Sequence, residues 1–133
     1  MDSSVTLTGY VGNAVETRLM RSGDTAAHFR VASTPRVQRE GVWSDGQTTW
    51  LTVWCYRGLA DNVAASVNKG DPIIVEGKLR TRVWIDDQQE TQERLVLEAT
   101  TIGHDLTRGT AVFERSSRRG ADEETDPFLA EAA

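Results

Sequence analysis

Apolar and polar side chains alternate with period two through most of residues 4–99, the pattern of strands that bury one face. Val5, Leu7 and Val11 alternate with Thr6, Thr8 and Tyr10, and Gly9 among them marks a bulge or a close approach of backbone. Leu19 and Met20 belong to a short stretch that stops at the turn signal Ser22-Gly23-Asp24. Phe29, Val31 and Ser33 alternate with Arg30, Ala32 and Thr34 until Pro35 limits the strand. Residues 36–48 are polar and carry Gly41 and Asp45-Gly46, which reads as a long loop. Trp50 to Tyr56 is rich in aromatic and β-branched residues and is the next strand. A long strand from Ile73 to Ile85 is interrupted at Gly77, turns at Asp86-Asp87-Gln88-Gln89 and returns over residues 92–99.

One stretch departs from this period. Leu59, Ala60, Val63, Ala64 and Val67 recur at helical spacing, so the pattern predicts a short amphipathic helix over 58–67, with Gly70 as a left-handed terminator. The order is three strands, a helix and two strands. In an all-β domain of this size it fits a five-stranded barrel of the oligonucleotide/oligosaccharide-binding class, the OB-fold, with the helix between strands three and four. Residues 1–111 form that domain. Residues 112–133 are poor in large apolar side chains and rich in Ser, Gly, Ala and Glu, and are expected to be a disordered acidic tail.

Strand parity sorts the side chains that carry chemistry. Trp50, Thr52, Trp54 and Tyr56 share one face, and Leu51, Val53 and Cys55 the other. On the long strand, Lys78, Arg80, Arg82 and Trp84 fall together, while Leu79, Val83 and Ile85 fall opposite and are expected to pack the barrel. An aromatic ladder beside three cations suits single-stranded nucleic acid, whose bases stack on any aromatic face while its phosphates follow the cations. Packing and solvated-edge roles explain each residue singly; the combination is what favours a nucleic-acid strand.

The net charge of −5 argues against such a partner only as a sum. Residues 29–84 hold eight basic and five acidic groups, a surplus of three positive charges, while residues 111–133 hold three basic and six acidic ones. His28 and His104 have no metal-ligand spacing with each other or with Cys55, which reads as a packed small hydrophobe. No phosphate-cradling loop, nucleophile elbow or paired-histidine site is present, so neither enzymatic activity nor a cofactor or metal is expected. The lone cysteine, the N-terminus Met1-Asp2-Ser3-Ser4 and the short apolar runs lead to the expectation of a cytoplasmic, nucleoid-associated chain with no membrane partner.

Several segments together resemble one family. Leu7-Thr8-Gly9-Tyr10-Val11-Gly12-Asn13, Phe29-Arg30-Val31-Ala32-Ser33-Thr34, Trp50 through Val63, and Glu76-Gly77-Lys78-Leu79-Arg80-Thr81-Arg82-Val83-Trp84 are similar to bacterial single-stranded DNA-binding protein (SSB) of actinobacterial type. The resemblance covers about residues 4–110 in order and spacing. It implies an OB-fold, a homotetramer, and sequence-independent binding and protection of single-stranded DNA in replication, recombination and repair. By the same resemblance Trp50, Tyr56 and Trp84 match base-stacking positions, with Trp54 added by parity. Arg80 and Arg82 match basic positions on the DNA path, and Lys78, Arg30 and Arg36 complete the expected phosphate contacts. Arg36 stands where some members place another stacking tryptophan; Trp43 lies further into the loop. The alternative is an OB-fold protein-interaction adaptor of the primosome type with weak DNA binding.

Family members end in an acidic tip closing on Pro-Phe whose carboxylate helps dock replication and repair enzymes. Here Asp122-Glu123-Glu124-Thr125-Asp126-Pro127-Phe128 has that chemistry, but Leu129 to Ala133 follow, so Phe128 carries no free carboxylate. Recruitment through Asp126, Pro127 and Phe128 is therefore expected to be weakened, consistent with a secondary paralogue.

Overall fold

A computed structural model describes residues 2–116. The strands are β1 (Ser4–Val11), β2 (Glu16–Leu19), β3 (Thr25–Ser33), β4 (Arg36–Arg39), β5 (Val42–Asp45), β6 (Thr49–Tyr56), β7 (Pro72–Ile85) and β8 (Thr91–His104). A helix, α1 (Arg57–Ser66), separates β6 from β7. The main sheet runs β1-β7-β8-β6-β3-β2, and an additional β1–β3 pairing closes five of these strands into a ring. This is the expected OB-type barrel, with β2 lying along β3 beyond the closure.

The closure depends on glycine. β1 pairs with β7 from Ser4 to Tyr10 and reaches β3 only at Tyr10 and Val11, opposite Ala32 and Val31. At that crossing a Cβ on Gly9 would collide with the carbonyl oxygen of Ala32. On the other side of β7 the register with β8 shifts between Glu76 and Gly77, so that Thr101 and Ala99 are successive partners and Thr100 is skipped. A Cβ on Gly77 would collide with the Glu98 carbonyl oxygen. Both interruptions that the sequence marks are places where two backbones press together.

Phe29, Val31, Val53, Cys55, Ile73, Val75 and Leu97 are fully buried within the ring. Leu51 and Leu79 pack against this core, as do Ala60, Val63 and Val67 of the helix segment, with α1 lying across the barrel. Ala64, expected on the buried stripe, is exposed. The helix begins at Arg57, one residue earlier than its pattern suggests, and its C-cap Val67 is extended, so no left-handed residue ends it. Gly70 does adopt a positive φ of 91°, but in the turn that leads into β7, where its N–H donates to the Val11 carbonyl.

Two expectations are corrected. Residues 36–48 are not simply a loop: β4 and β5 form a separate antiparallel hairpin. Its two-residue turn, Glu40-Gly41, has positive φ at both positions (52° and 79°), the backbone that matches the twist of a tight hairpin. Val83 and Ile85 do not pack the barrel either, being 59% and 67% exposed. β7 and β8 stay paired as far as Ile85 and Thr91, so their distal ends form an arm past the end of the core, where neither face has anything to cover it. Leu95 on the same arm is likewise exposed.

Candidate nucleic-acid interface

The outer face of the sheet carries the even-numbered side chains of β6 and β7 that parity groups together. Trp54, Ala26 and Val96 form a second, small buried cluster there, with Met20 and Tyr56 against it. Cross-strand pairing sets the order of the rows: His28 lies opposite Trp54, Arg30 opposite Thr52 and Ala32 opposite Trp50. Lys78 lies opposite Glu98, Arg80 opposite Val96 and Arg82 opposite Arg94.

The expected stacking residues differ in how they are presented. Trp50 is 49% exposed. Its ring lies over Gly12, where a Cβ would come within 2.5 Å of Cζ3, and the Arg30 guanidinium stands 4.7 Å from the ring centroid. Asn13 helps hold this corner, its Oδ1 accepting from the Arg30 backbone N–H at 2.9 Å. Trp84 is 42% exposed on the projecting arm, with Arg94 at 5.8 Å from its ring. Tyr56 is half-buried, and its hydroxyl donates to Glu98 Oε2 at 3.0 Å. Burial first, then the hydrogen bond to Glu98 and its charge, push the Tyr56 phenol pKa upward, so the ring stays neutral.

Trp54 is placed otherwise than the parity argument expects. It is only 8% exposed. His28 stacks on it at 4.4 Å between centroids, Tyr56 lies 6.5 Å away at 19°, and the Arg82 guanidinium sits 3.7 Å from its ring. The side chains are on the expected face, but β3 and β7 bring neighbours over the indole, so it offers no open face to a base in this structure. Sequence parity gives the face of a strand and not what crosses it from other strands.

The cations divide in the same way. Lys78 Nζ donates to Asp2 Oδ2 at 3.0 Å, and Arg80 bridges Asp2 (3.1 Å) and Glu98 (3.4 Å). The hydrogen bond from Lys78, with the charges of Lys78 and Arg80, lowers the Asp2 pKa. Arg36 lies on the β4–β5 hairpin, apart from the main sheet, and pairs with Asp45 at 2.8 Å. Arg30 and Arg82, by contrast, have no carboxylate partner within 4.0 Å among the described residues. The sequence reading missed Arg94 beside Trp84 and Arg18, 5.3 Å from the Trp54 ring. The alternation in Glu16-Thr17-Arg18-Leu19 was the available signal for Arg18.

Asp126, Pro127 and Phe128 lie outside the described residues. Among those described, no group of three or more His, Cys, Asp or Glu side chains is disposed to hold a metal ion, and no helix is long and apolar enough to cross a membrane. Partly exposed indoles and guanidinium groups without carboxylate partners give this face flat apolar surface and positive charge, the two features that base stacking and phosphate contact require.

Comparison with known proteins agrees with this architecture. Residues 2–105 match the sequence model of the Single-strand binding protein family. Single-stranded DNA-binding protein 1 of Streptomyces coelicolor is 40% identical over 117 residues, covering 84% of this chain and 73% of its own length. Single-stranded DNA-binding protein 2 of Streptomyces avermitilis is 36% identical over 128 residues, covering 95% of this chain and 80% of its own. The crystal structure of the small single-stranded DNA-binding protein from Streptomyces coelicolor superposes with a TM-score of 0.69 at 33% identity, covering 81% of this chain and 98% of that one. With a family match across most of its length and a shared barrel, the chain belongs to the single-strand binding protein family.

Proposed function

We propose that the chain coats single-stranded DNA without sequence preference, protecting exposed strands in replication, recombination and repair, the general role of its family. The observation that carries this reading is the outer face on which partly exposed Trp50 and Trp84 alternate with guanidinium groups lacking carboxylate partners. Trp50, Tyr56 and Trp84 stack on bases, and Arg30 and Arg82 meet phosphates. Lys78, Arg80 and Arg36 join them by exchanging Asp2, Glu98 and Asp45 for phosphate oxygens. The finer reading adds a homotetramer in a cytoplasmic, nucleoid-associated pool, a non-catalytic mechanism, and weakened docking through Asp126, Pro127 and Phe128, because the peptide bond to Leu129 leaves Phe128 no free carboxylate.

The experiment is a poly-dT titration followed by tryptophan fluorescence across salt concentrations, with a native mass measurement alongside. Strong quenching, an affinity that falls with salt by a log–log slope of about −0.7 per phosphate contact, and a tetrameric mass are expected. Absence of quenching at low salt would overturn the reading and favour an interaction adaptor.

A further inference from the structure

Beside the aromatic face, β2 and β7 flank an open cleft of about 360 Å³ whose walls include Arg18, Arg21, Trp54, Tyr56 and Arg82. Ala26 opens this space. It lies between Arg18 and Tyr56 in the sheet register, and its methyl is too short to fill the gap between the two longer side chains. Three guanidinium groups thus border one small apolar-floored depression. None of the three has a carboxylate within 4.0 Å among the described residues, although Glu16, Asp24 and Glu98 all lie on neighbouring strands or turns and pair with His28, Arg57 and Arg80 instead.

Arg82 gives the sharper sign. Its Nη1 is buried and has no hydrogen-bond partner, alone among buried side-chain nitrogen and oxygen atoms of the described residues. An unsatisfied buried donor on a charged group is costly, and the guanidinium gains an acceptor by turning Nη1 toward the cleft that Arg82 lines. The Trp54 indole, 3.7 Å from the guanidinium carbon, holds the group at the cleft wall. Arg18 is 5.3 Å from the same ring centroid, so the two guanidinium carbons are no farther apart than those two distances together, about 9 Å. Both side chains line the one cleft, so a single phosphate entering it can be met by either guanidinium.

We propose that this cleft is a phosphate seat, with Arg18 and Arg82 as its two jaws, Arg21 at its rim and Trp54 as the residue that positions Arg82 rather than a base-stacking platform. Its ligand is a phosphodiester of the bound strand, so the inference rests on the single-stranded DNA reading. β2 thereby carries the DNA path beyond the closed ring.

The test is Arg18→Gln and Trp54→Leu in the full chain, with Trp54→Phe as the conservative variant, each titrated with poly-dT across salt. Arg18→Gln is expected to make the log–log slope shallower by about 0.7, one phosphate contact. Trp54→Leu is expected to match Arg82→Gln in slope and to add nothing in the Arg82→Gln background, while Trp54→Phe, which keeps a π-face under the guanidinium, restores the slope. The Nε–H resonances of Arg18 and Arg82 report directly on the seat, with oligo-dT and inorganic phosphate as probes. Joint shifts with oligo-dT alone assign the seat to the strand, and joint shifts with both probes assign it to any phosphate. If the chain binds poly-dT while Arg18→Gln leaves the slope unchanged and neither resonance moves, the seat is refuted and the DNA reading stands; if the parent chain fails to bind poly-dT, the DNA reading itself falls.

Discussion

Gly12→Ala separates a stacking platform from a packing residue with one methyl group. The new Cβ would lie 2.5 Å from Trp50 Cζ3, 3.2 Å from Cη2 and 3.6 Å from the Arg30 carbonyl oxygen. An ordinary carbon–carbon contact is about 3.5–4.0 Å, so the ring edge must move by about 1 Å. Half-exposed at the surface, Trp50 has room to do so, and Gly12 is not among the residues with positive φ, so alanine fits the backbone. Folding stability is therefore expected to change by less than about 1 kcal/mol, the lower entropy of the unfolded chain offsetting part of any strain. The indole, however, is tipped off its floor, which disturbs its packing with Arg30. A stacked base is worth about 1–3 kcal/mol, so poly-dT affinity is expected to fall by about 5-fold to 150-fold. Fluorescence titration of Gly12→Ala, Trp50→Ala and the double variant measures it. The double variant should bind no more weakly than Trp50→Ala alone. An equal further loss in the Trp50→Ala background would show that Gly12 acts by another route and refute the argument.

Other consequences follow from the same geometry. Gly77→Ala places its Cβ 2.6 Å from Ala99 Cα and 2.7 Å from the Glu98 carbonyl carbon, backbone that cannot swing aside; a loss of about 3 kcal/mol is expected, seen as a fall in melting temperature of more than about 10 °C. Burial, more than the nearby Glu16 can oppose, lowers the His28 pKa below 6.5. The folded state thus binds fewer protons there than the unfolded one, so this contribution to stability is full above pH 6.5 and is lost as the pH falls towards the folded value. Denaturant titrations should show His28→Gln flattening that acid limb, and an unchanged limb would contradict it. Cys55 is fully buried and its thiol is pushed up to about 11 by desolvation, so alkylation at pH 8 should proceed only at the rate of unfolding; rapid labelling of the native chain would place it elsewhere.

Periodicity alone determined a good deal. Alternation identified β1, β3 and β6 and assigned Val53 and Cys55 to the core and Trp50 and Trp54 to the opposite face, while the switch to helical spacing placed the helix between the third and fourth barrel strands. It marked Gly9 and Gly77 as irregular. These properties are local: the pleat sends successive side chains to opposite sides whatever the rest of the chain does. Only the tertiary structure decided what each face meets. Val83 and Ile85 have core parity but stand on an arm that outruns the core. Lys78 and Arg80 have the expected outward parity but face Asp2 and Glu98, contributed by the N-terminus and by β8. Trp54 is aromatic and outward yet covered, because β3 supplies His28 and β7 supplies Arg82. Arg18, unremarkable in a four-residue strand, comes to the same ring through β2 and β3. A strand's own residues fix which way a side chain points; its burial and its charge partners come from strands tens of residues away, and only the closure of the barrel brings those together.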